Sequence, residues 1–360
     1  MKTCLAILLC LAMLPTFAQS LSDGPYLQLL PKQKVLMARW VCDDVPQQQE
    51  VLLNQSVPVR CGYNRPIKVE PLPVSGWQFQ SPRFAAISDI HGQYDLMLQL
   101  LKSAGIIDAQ LNWSFGRHHL VVVGDVMDRG EKVTEALWLL YELQQQARKA
   151  GGALHLLPGN HETMVLRGDL RYVHPKYLQL AKQLDTPLPA LYGPDTVLGQ
   201  WLRQLPLFVR INDTLFVHGG LSPEMANRAE NPQQLLQGFQ QSWGLSKPQL
   251  QHHELQQLLQ GSDGPLWYRG YFKKENSVDL AQLRRQLASF GASQIVVGHT
   301  SMDDVYQHHG GLVYSVDSSI KKGKSGAVLH FIDGKWFRSG LDGKLTAVQP
   351  APEKKREDNQ

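Results

Sequence analysis

The sequence predicts an α/β fold, with a small β-rich N-terminal subdomain ahead of a larger layered domain. Two observations predict it. From residue 81 onward, short apolar runs of strand length alternate with longer stretches of helical periodicity. Between residues 33 and 80, apolar runs of strand length are broken by polar turns and prolines. At 360 residues the chain has room for one large or two ordinary domains. A hydrophobic content of 43% with 19% charged residues suits a sizeable core and excludes a disordered chain. The net charge is only +4 and no dense basic stripe is present, so nucleic acid is not an expected partner.

Taken in order, residues 1–18 read as a secretory signal peptide. Lys2 supplies the positive start and residues 5–14 an apolar run too short to span a bilayer. Thr16, Phe17 and Ala18 complete a small-x-small cleavage pattern. The mature chain is therefore expected to be periplasmic or secreted, without stable membrane insertion. Cys4 and Cys10 fall in the signal. Cys42 and Cys61 remain, and an oxidising compartment predicts a disulfide between them. Residues 19–80 form the expected subdomain, with strands at 35–41, 50–53 and 57–61. Pro46, Pro58, Pro66, Pro71 and Pro73 exclude helices there and end in a Pro-rich linker.

The layered domain is expected over residues 81–340. Strands at 84–87, 119–123 and 153–157 alternate with helices at 94–102 and 132–149. Residues 163–205 and 222–290 read as mostly helical, and the insertions 163–205 and 222–275 are expected to cap a cleft. Strands return at 206–211, 214–217, 294–297, 312–316 and 327–332. Residues 341–360 are expected to be a flexible tail.

Five motifs follow predicted strands. The first, SDIHG, carries Asp89 and His91 two residues apart. In extended chain such residues project to one side, so a carboxylate and an imidazole point together. The second, GDVMDRG, holds Asp125, Asp128 and Arg129. A carboxylate has two oxygens, so Asp125 can bridge two cations, and the Arg129 fork suits a phosphate. The third, GNHE, offers the Asn160 carbonyl as a ligand and His161 as a proton donor near neutral pH. Glu162 falls near a helix start, where an acid is favourable. The fourth, HGGLSP, begins with His218, and the fifth, GHT, centres on His299. In open α/β sheets, sites form outside the C-terminal strand ends. The shared placement therefore makes one site of five motifs. The mixed nitrogen and oxygen donor set, without cysteine, suits Mn, Fe or Zn better than calcium or a thiolate metal. Its size suits two ions sharing Asp125, about 3.5–4 Å apart.

As a set, the motifs resemble the phosphoprotein phosphatase branch of the calcineurin-like metallophosphoesterases, whose pattern runs GDxHG, GDxxDRG, GNHE, HGG and GHT. The resemblance extends over about residues 84–332. Residues 159–173, the exported N-terminus and the segment PLWYR at 265–269 are similar to the bacterial Shewanella-like phosphatases in particular. The resemblance implies a layered β-sandwich flanked by helices, with helical cap insertions. It also implies roles: Asp89, His91 and Asp125 on one ion, and Asp125, Asn160, His218 and His299 on the other. Asp128 would orient His161, which protonates the leaving oxygen, while Arg129 and Arg269 grip the phosphate. Three features depart from the family's pattern: Ser88 in place of glycine, tolerable at a position that is not a ligand, Pro158 where eukaryotic serine/threonine phosphatases carry arginine, and no SAPNY-like segment.

The expected activity is hydrolysis of phosphomonoesters by metal-activated hydroxide. The substrate would be a phosphorylated protein, peptide or small molecule, on Ser/Thr or Tyr. The alternatives are a phosphodiesterase or dinucleotide polyphosphate hydrolase of the same superfamily, and a catalytically dead binding protein, which would be expected to lack a ligand. Arg167, Arg171, Tyr172 and His174 follow the third motif and are within range of a substrate. The adjacent pairs His118–His119, His252–His253 and His308–His309 chelate poorly and are expected on the surface.

Overall fold

The computed structural model of the protein describes residues 20–70, 76–227, 231–272 and 278–352. The expected signal peptide, part of the linker with Pro71 and Pro73, and the tail from residue 353 lie outside the described residues.

The chain begins with an antiparallel meander of β1 (Asp23–Leu30), β2 (Val35–Cys42) and β3 (Val45–Leu52). Sequence periodicity did not suggest β1. Cys42 and Cys61 are disulfide-bonded. Residues 57–61, expected as a strand, contribute only an isolated bridge between Val57 and Ile67, since Pro58 has no N–H for a ladder. This sheet does not stand apart. Its buried Leu27, Leu36 and Trp40 share one core with α1 (Tyr94–Ser103) and α2 (Val133–Lys149). Trp138 of α2 donates to the Pro25 carbonyl at 2.9 Å, and Tyr63 donates to the Glu142 carboxylate at 2.7 Å.

The larger domain is a sandwich of two mixed sheets. Its strands are β4 (Gln78–Phe79), β5 (Arg83–Ile87), β6 (His119–Val122), β7 (Ala153–Leu156), β8 (Phe208–Ile211) and β9 (Thr214–Val217). They continue with β10 (Gln294–Val297), β11 (Tyr306–His308), β12 (Val313–Ser315), β13 (Val328–Ile332), β14 (Lys335–Ser339), β15 (Thr346–Ala347) and β16 (Gln349–Pro350). One sheet runs β15-β14-β13-β5-β6-β7 and the other β16-β11-β12-β10-β9-β8-β4. Residues 341–352 therefore include edge strands on both sheets, and this part of the expected tail is tied down: β15 pairs with β14 and β16 with β11.

Both faces of the central strands are buried, and alternation decides which layer each side chain joins. Phe84, Ala86, Val121, Val123, Val209, Phe216 and Val296 fill the space between the sheets. Ala85, Ile87, Leu120 and Val122 face α1 and α2. Leu215, Val217, Ile295 and Val297 face the helices of residues 223–289. The helical insertions have their leucines in these outer layers: Leu180, Leu198 and Leu202 in one, Leu235, Leu236 and Leu259 in the other. Their described leucines therefore pack on the sheets, while the segments around Tyr172 and 267–269 reach the cleft. His119 also departs from expectation. It is buried, 3.1 Å from His155 and beside Phe79, because as the first residue of β6 it points between layers.

Candidate metal centre

All five motifs do leave C-terminal strand ends. The strands belong to two sheets: β5, β6 and β7 run parallel in one, β9 and β10 in the other. The site therefore forms where two sets of strand ends meet, not outside a single open sheet.

The loops there are tightly wound. Asp89, His91, Asp125, Asp128, Arg129 and His299 all have positive φ, between 48° and 71°. Asp89 and His91 thus converge through a left-handed turn, and the extended-chain argument for them does not apply. Left-handed conformations cost non-glycine residues about 1–2 kcal/mol each and persist where surroundings over-determine them. Here a mesh of hydrogen bonds does so. His91 N donates to Asp125 O at 2.9 Å, Gly130 N to His91 O at 2.9 Å, and Arg129 N to Tyr172 O at 2.8 Å. The Glu162 carboxylate, fully buried, accepts from the backbone N–H groups of Asp125, Val126, Met127 and Gly159 at 2.6–3.0 Å. Close approach also demands glycine. A Cβ on Gly159 would sit 2.0 Å from Asp125 Oδ1, and one on Gly298 2.1 Å from Ser88 Oγ.

Two donor groups share Asp125. One is His91, Asp125 and His161; the other is Asp125, His218 and His299. Asp125 Oδ2 lies 3.6 Å from His91 Nε2 and 3.3 Å from His218 Nε2. Asp89 Oδ1 lies 3.9 Å from His91 Nε2. The other Asp89 oxygen is engaged by Ser88 Oγ at 2.6 Å and His299 N at 2.9 Å. Asn160 Oδ1 lies 3.1 Å from His218 Nε2. The structure thus brings all six predicted ligands together.

Their partners point lone pairs inward. His91 Nδ1 is 2.8 Å from the Met127 carbonyl and His218 Nδ1 is 2.7 Å from the Val123 carbonyl, which leaves Nε2 of each toward Asp125. In His299 the roles are exchanged: Nε2 meets the Trp267 carbonyl at 3.1 Å, so Nδ1 is the nitrogen left to hold an ion. Burial pushes His91 down to about 3 and His299 down to about 2, so both rings are neutral donors. Burial would also lower His218, but the Asp125 charge prevails and raises it to about 9. Burial works to raise Asp125, yet the charges of His218 and His161 outweigh it and hold the carboxyl well below the usual range. Asp89 goes the other way, raised by burial and by the charges of Asp317 and Asp125. Buried carboxylates that repel one another, with the neutral imidazoles of His91 and His299 beside them, are what cations stabilise. The residues fit two metal ions.

His161 stands beside this centre. Its Nδ1 is 2.6 Å from Asp128 Oδ2, and its Nε2 is 3.5 Å from Arg129 Nη2. Arg269 is anchored by donating to the His299 carbonyl at 2.7 Å. Of the residues after the third motif, only Tyr172 joins the site. Arg167 folds back onto Thr163, Arg171 pairs with Asp169, and His174 caps the helix Pro175–Gln183. Sequence reasoning missed Ser88 as an anchor of Asp89, and also Trp267 and buried Asp317. Ser88 and Trp267 lie in the quoted segments SDIHG and PLWYR, but nothing local shows their partners, and Asp317 carries no local signal. It placed Glu162 at a helix start but not as the clasp of the second motif, though its capping-box position was a clue.

Residues 82–303 match the calcineurin-like phosphoesterase family. A cold-active protein-tyrosine phosphatase of a psychrophilic Shewanella sp. shares 40% sequence identity. Its structure superposes with a TM-score of 0.85, covering 91% of this chain and 99% of that one. Shewanella-like protein phosphatase 2 of Arabidopsis thaliana is 27% identical over 63% of this chain and 68% of its own length. Shewanella-like protein phosphatase 1 of Plasmodium berghei is 30% identical over 61% of each chain. This chain therefore spans about two thirds of the length of these two relatives. It belongs to the calcineurin-like phosphoesterase family and is a metal-dependent phosphatase.

Proposed function

We propose that the chain is a periplasmic or secreted protein phosphatase. It hydrolyses phosphomonoesters of proteins or peptides, phosphotyrosine foremost, with two bound ions drawn from Mn, Fe or Zn. The observation that carries the substrate class is the 40% identity, over 91% of the chain, with a protein-tyrosine phosphatase. The proposed ligands are Asp89, His91 and Asp125 for one ion, and Asp125, Asn160, His218 and His299 for the other. An exported setting is supported by the signal-like residues 1–18 and the Cys42–Cys61 disulfide. Among the described residues, no helix is long and apolar enough to cross a membrane. The modest charge of +4 supports no nucleic-acid partner.

Bound ions would offset the charge of the phosphate and make hydroxide available near neutral pH. The chain's own residues do the rest. Arg129 and Arg269 present guanidinium forks that strengthen their hold as charge gathers on the phosphoryl oxygens. Asp128 holds His161 by Nδ1, so Nε2 is the nitrogen that faces the leaving oxygen and delivers its proton. Glu162 and the backbone mesh fix the loop that carries Asp125, Asp128 and Arg129. The test is a manganese-supplemented panel of phosphotyrosine and phosphoserine peptides, nucleotides, sugar phosphates and bis-p-nitrophenyl phosphate. The expected result is the highest kcat/KM on phosphotyrosine peptide. Preference for the diester or for dinucleotides would overturn the reading.

A further inference from the structure

The leaving group of a phosphomonoester must pass close to the proton donor. With Nδ1 of His161 held by Asp128, the leaving oxygen belongs beside Nε2. The Tyr172 ring flanks that imidazole, with centroids 5.2 Å apart and planes tilted by 54°. Tyr172 is 42% exposed, and among the described residues no other tryptophan, tyrosine or phenylalanine is as exposed. The ring is thus open to solvent at the rim of a polar site, within reach of a bound substrate.

The ring is also held still. The Arg129 guanidinium lies 5.0 Å from its centroid and that of Arg171 lies 5.6 Å away. Arg171 is itself fixed by two hydrogen bonds to Asp169, both 2.8 Å. The Tyr172 carbonyl accepts from Arg129 N at 2.8 Å, which ties the residue to the loop that meets the phosphate. Cation–π contacts from both arginines restrain a ring that would otherwise rotate freely.

Resting on the phosphotyrosine reading, we infer that Tyr172 forms the leaving-group subsite and selects aryl over alkyl phosphomonoesters. A phenyl ring on the leaving oxygen would lie beside the imidazole that Tyr172 flanks, and aromatic pairs attract at centroid separations of about 4.5–7 Å. A seryl leaving group offers one methylene there and gains nothing comparable. Tyr172 takes no part in bond making: the P–O bond to the tyrosyl oxygen breaks, water supplies the new P–O bond, and the departing oxygen takes its proton from His161.

The experiment compares the manganese-loaded wild type, Tyr172→Phe and Tyr172→Leu on a phosphotyrosine peptide and a phosphoserine peptide of the same sequence. Aromatic pairing predicts that Tyr172→Leu loses about 3- to 10-fold in kcat/KM on phosphotyrosine, through KM. On phosphoserine the same variant should stay within about twofold, and Tyr172→Phe should match wild type on both. The inhibition constant of inorganic phosphate should not move, since the backbone bond to Arg129 survives both substitutions. An equal fall on both peptides with weaker phosphate inhibition would mean that the ring only props Arg129, and would overturn the inference. So would no fall at all. Wild-type turnover of phosphoserine but not phosphotyrosine would refute the substrate reading itself, and the inference with it.

Discussion

Replacing Glu162 with glutamine exchanges one carboxylate oxygen for an NH2 and should unsettle the whole centre. Oε1 accepts from Val126 N at 2.8 Å and Met127 N at 2.9 Å. Oε2 accepts from Asp125 N at 3.0 Å and Gly159 N at 2.6 Å. The amide of glutamine can serve only one of these pairs, and its NH2 then faces the other two donors. Each buried donor left unpaired costs about 1–3 kcal/mol, so two cost about 2–6 kcal/mol. The surviving pair also loses its charge assistance. Against a total stability of about 5–15 kcal/mol, a loss near 4 kcal/mol is severe. Urea titration of wild type and Glu162→Gln, with metal removed from both, reads the loss as a lower midpoint. Because the same loop carries Asp125, the manganese concentration for half-maximal activity should rise by about 10- to 100-fold. A midpoint shift worth less than about 1 kcal/mol at unchanged slope would refute the clasp, since even one unpaired donor costs that much.

Three further outcomes follow from the geometry. His161→Ala should lower kcat by about 10²–10⁴-fold on phosphopeptides, with a smaller loss on p-nitrophenyl phosphate, whose leaving group needs little protonation. Equal losses on both would remove His161 from the proton-donor role. Opening the Cys42–Cys61 bridge by double serine substitution should cost about 3 kcal/mol, as expected for a closed loop spanning 19 residues, and calorimetry would detect it. Acid should destabilise the fold. Burial lowers His155 to about 3 and His119 and His330 to about 4, so they remain neutral when folded. The unfolded chain binds these protons below about pH 6.5, so their stabilisation is complete above that pH and fades as pH falls toward 4. At pH 5 the loss is about 2 kcal/mol per histidine, and a His330→Phe variant whose denaturation midpoint falls as far as that of wild type between pH 7 and 5 would contradict it.

The parts of this fold that were legible in the sequence are those with a single local cause. The central strands β5, β6, β9 and β10 are apolar on both faces, so they stood out as short continuous runs. The motif residues stood out because chemistry requires those types at strand ends. What was hidden depends on partners distant in sequence. β15 and β16 are two-residue edges made by pairing with β14 and β11. The insertions carry leucine stripes that fit a cap or a sheet face equally, and only the open outer faces of the two sheets decide between them. Asp89 and His91 were assigned to one site for a mistaken backbone reason. Their left-handed φ angles are imposed by carbonyls of the second motif, which local sequence does not display. Ser88 looked like a neutral departure from glycine, yet its hydroxyl meets Asp89 and the Val123 carbonyl.

The central claim is that Asp125 joins two metal sites into one phosphatase centre. Elemental analysis of manganese-loaded protein, coupled to turnover of phosphotyrosine peptide, tests it most directly. Wild type should bind two ions per chain and lose turnover on chelation. Asp125→Asn should bind fewer than two and lose most activity while keeping its far-ultraviolet circular dichroism. Full turnover by Asp125→Asn after metal stripping, or by wild type with no bound metal, would contradict the account.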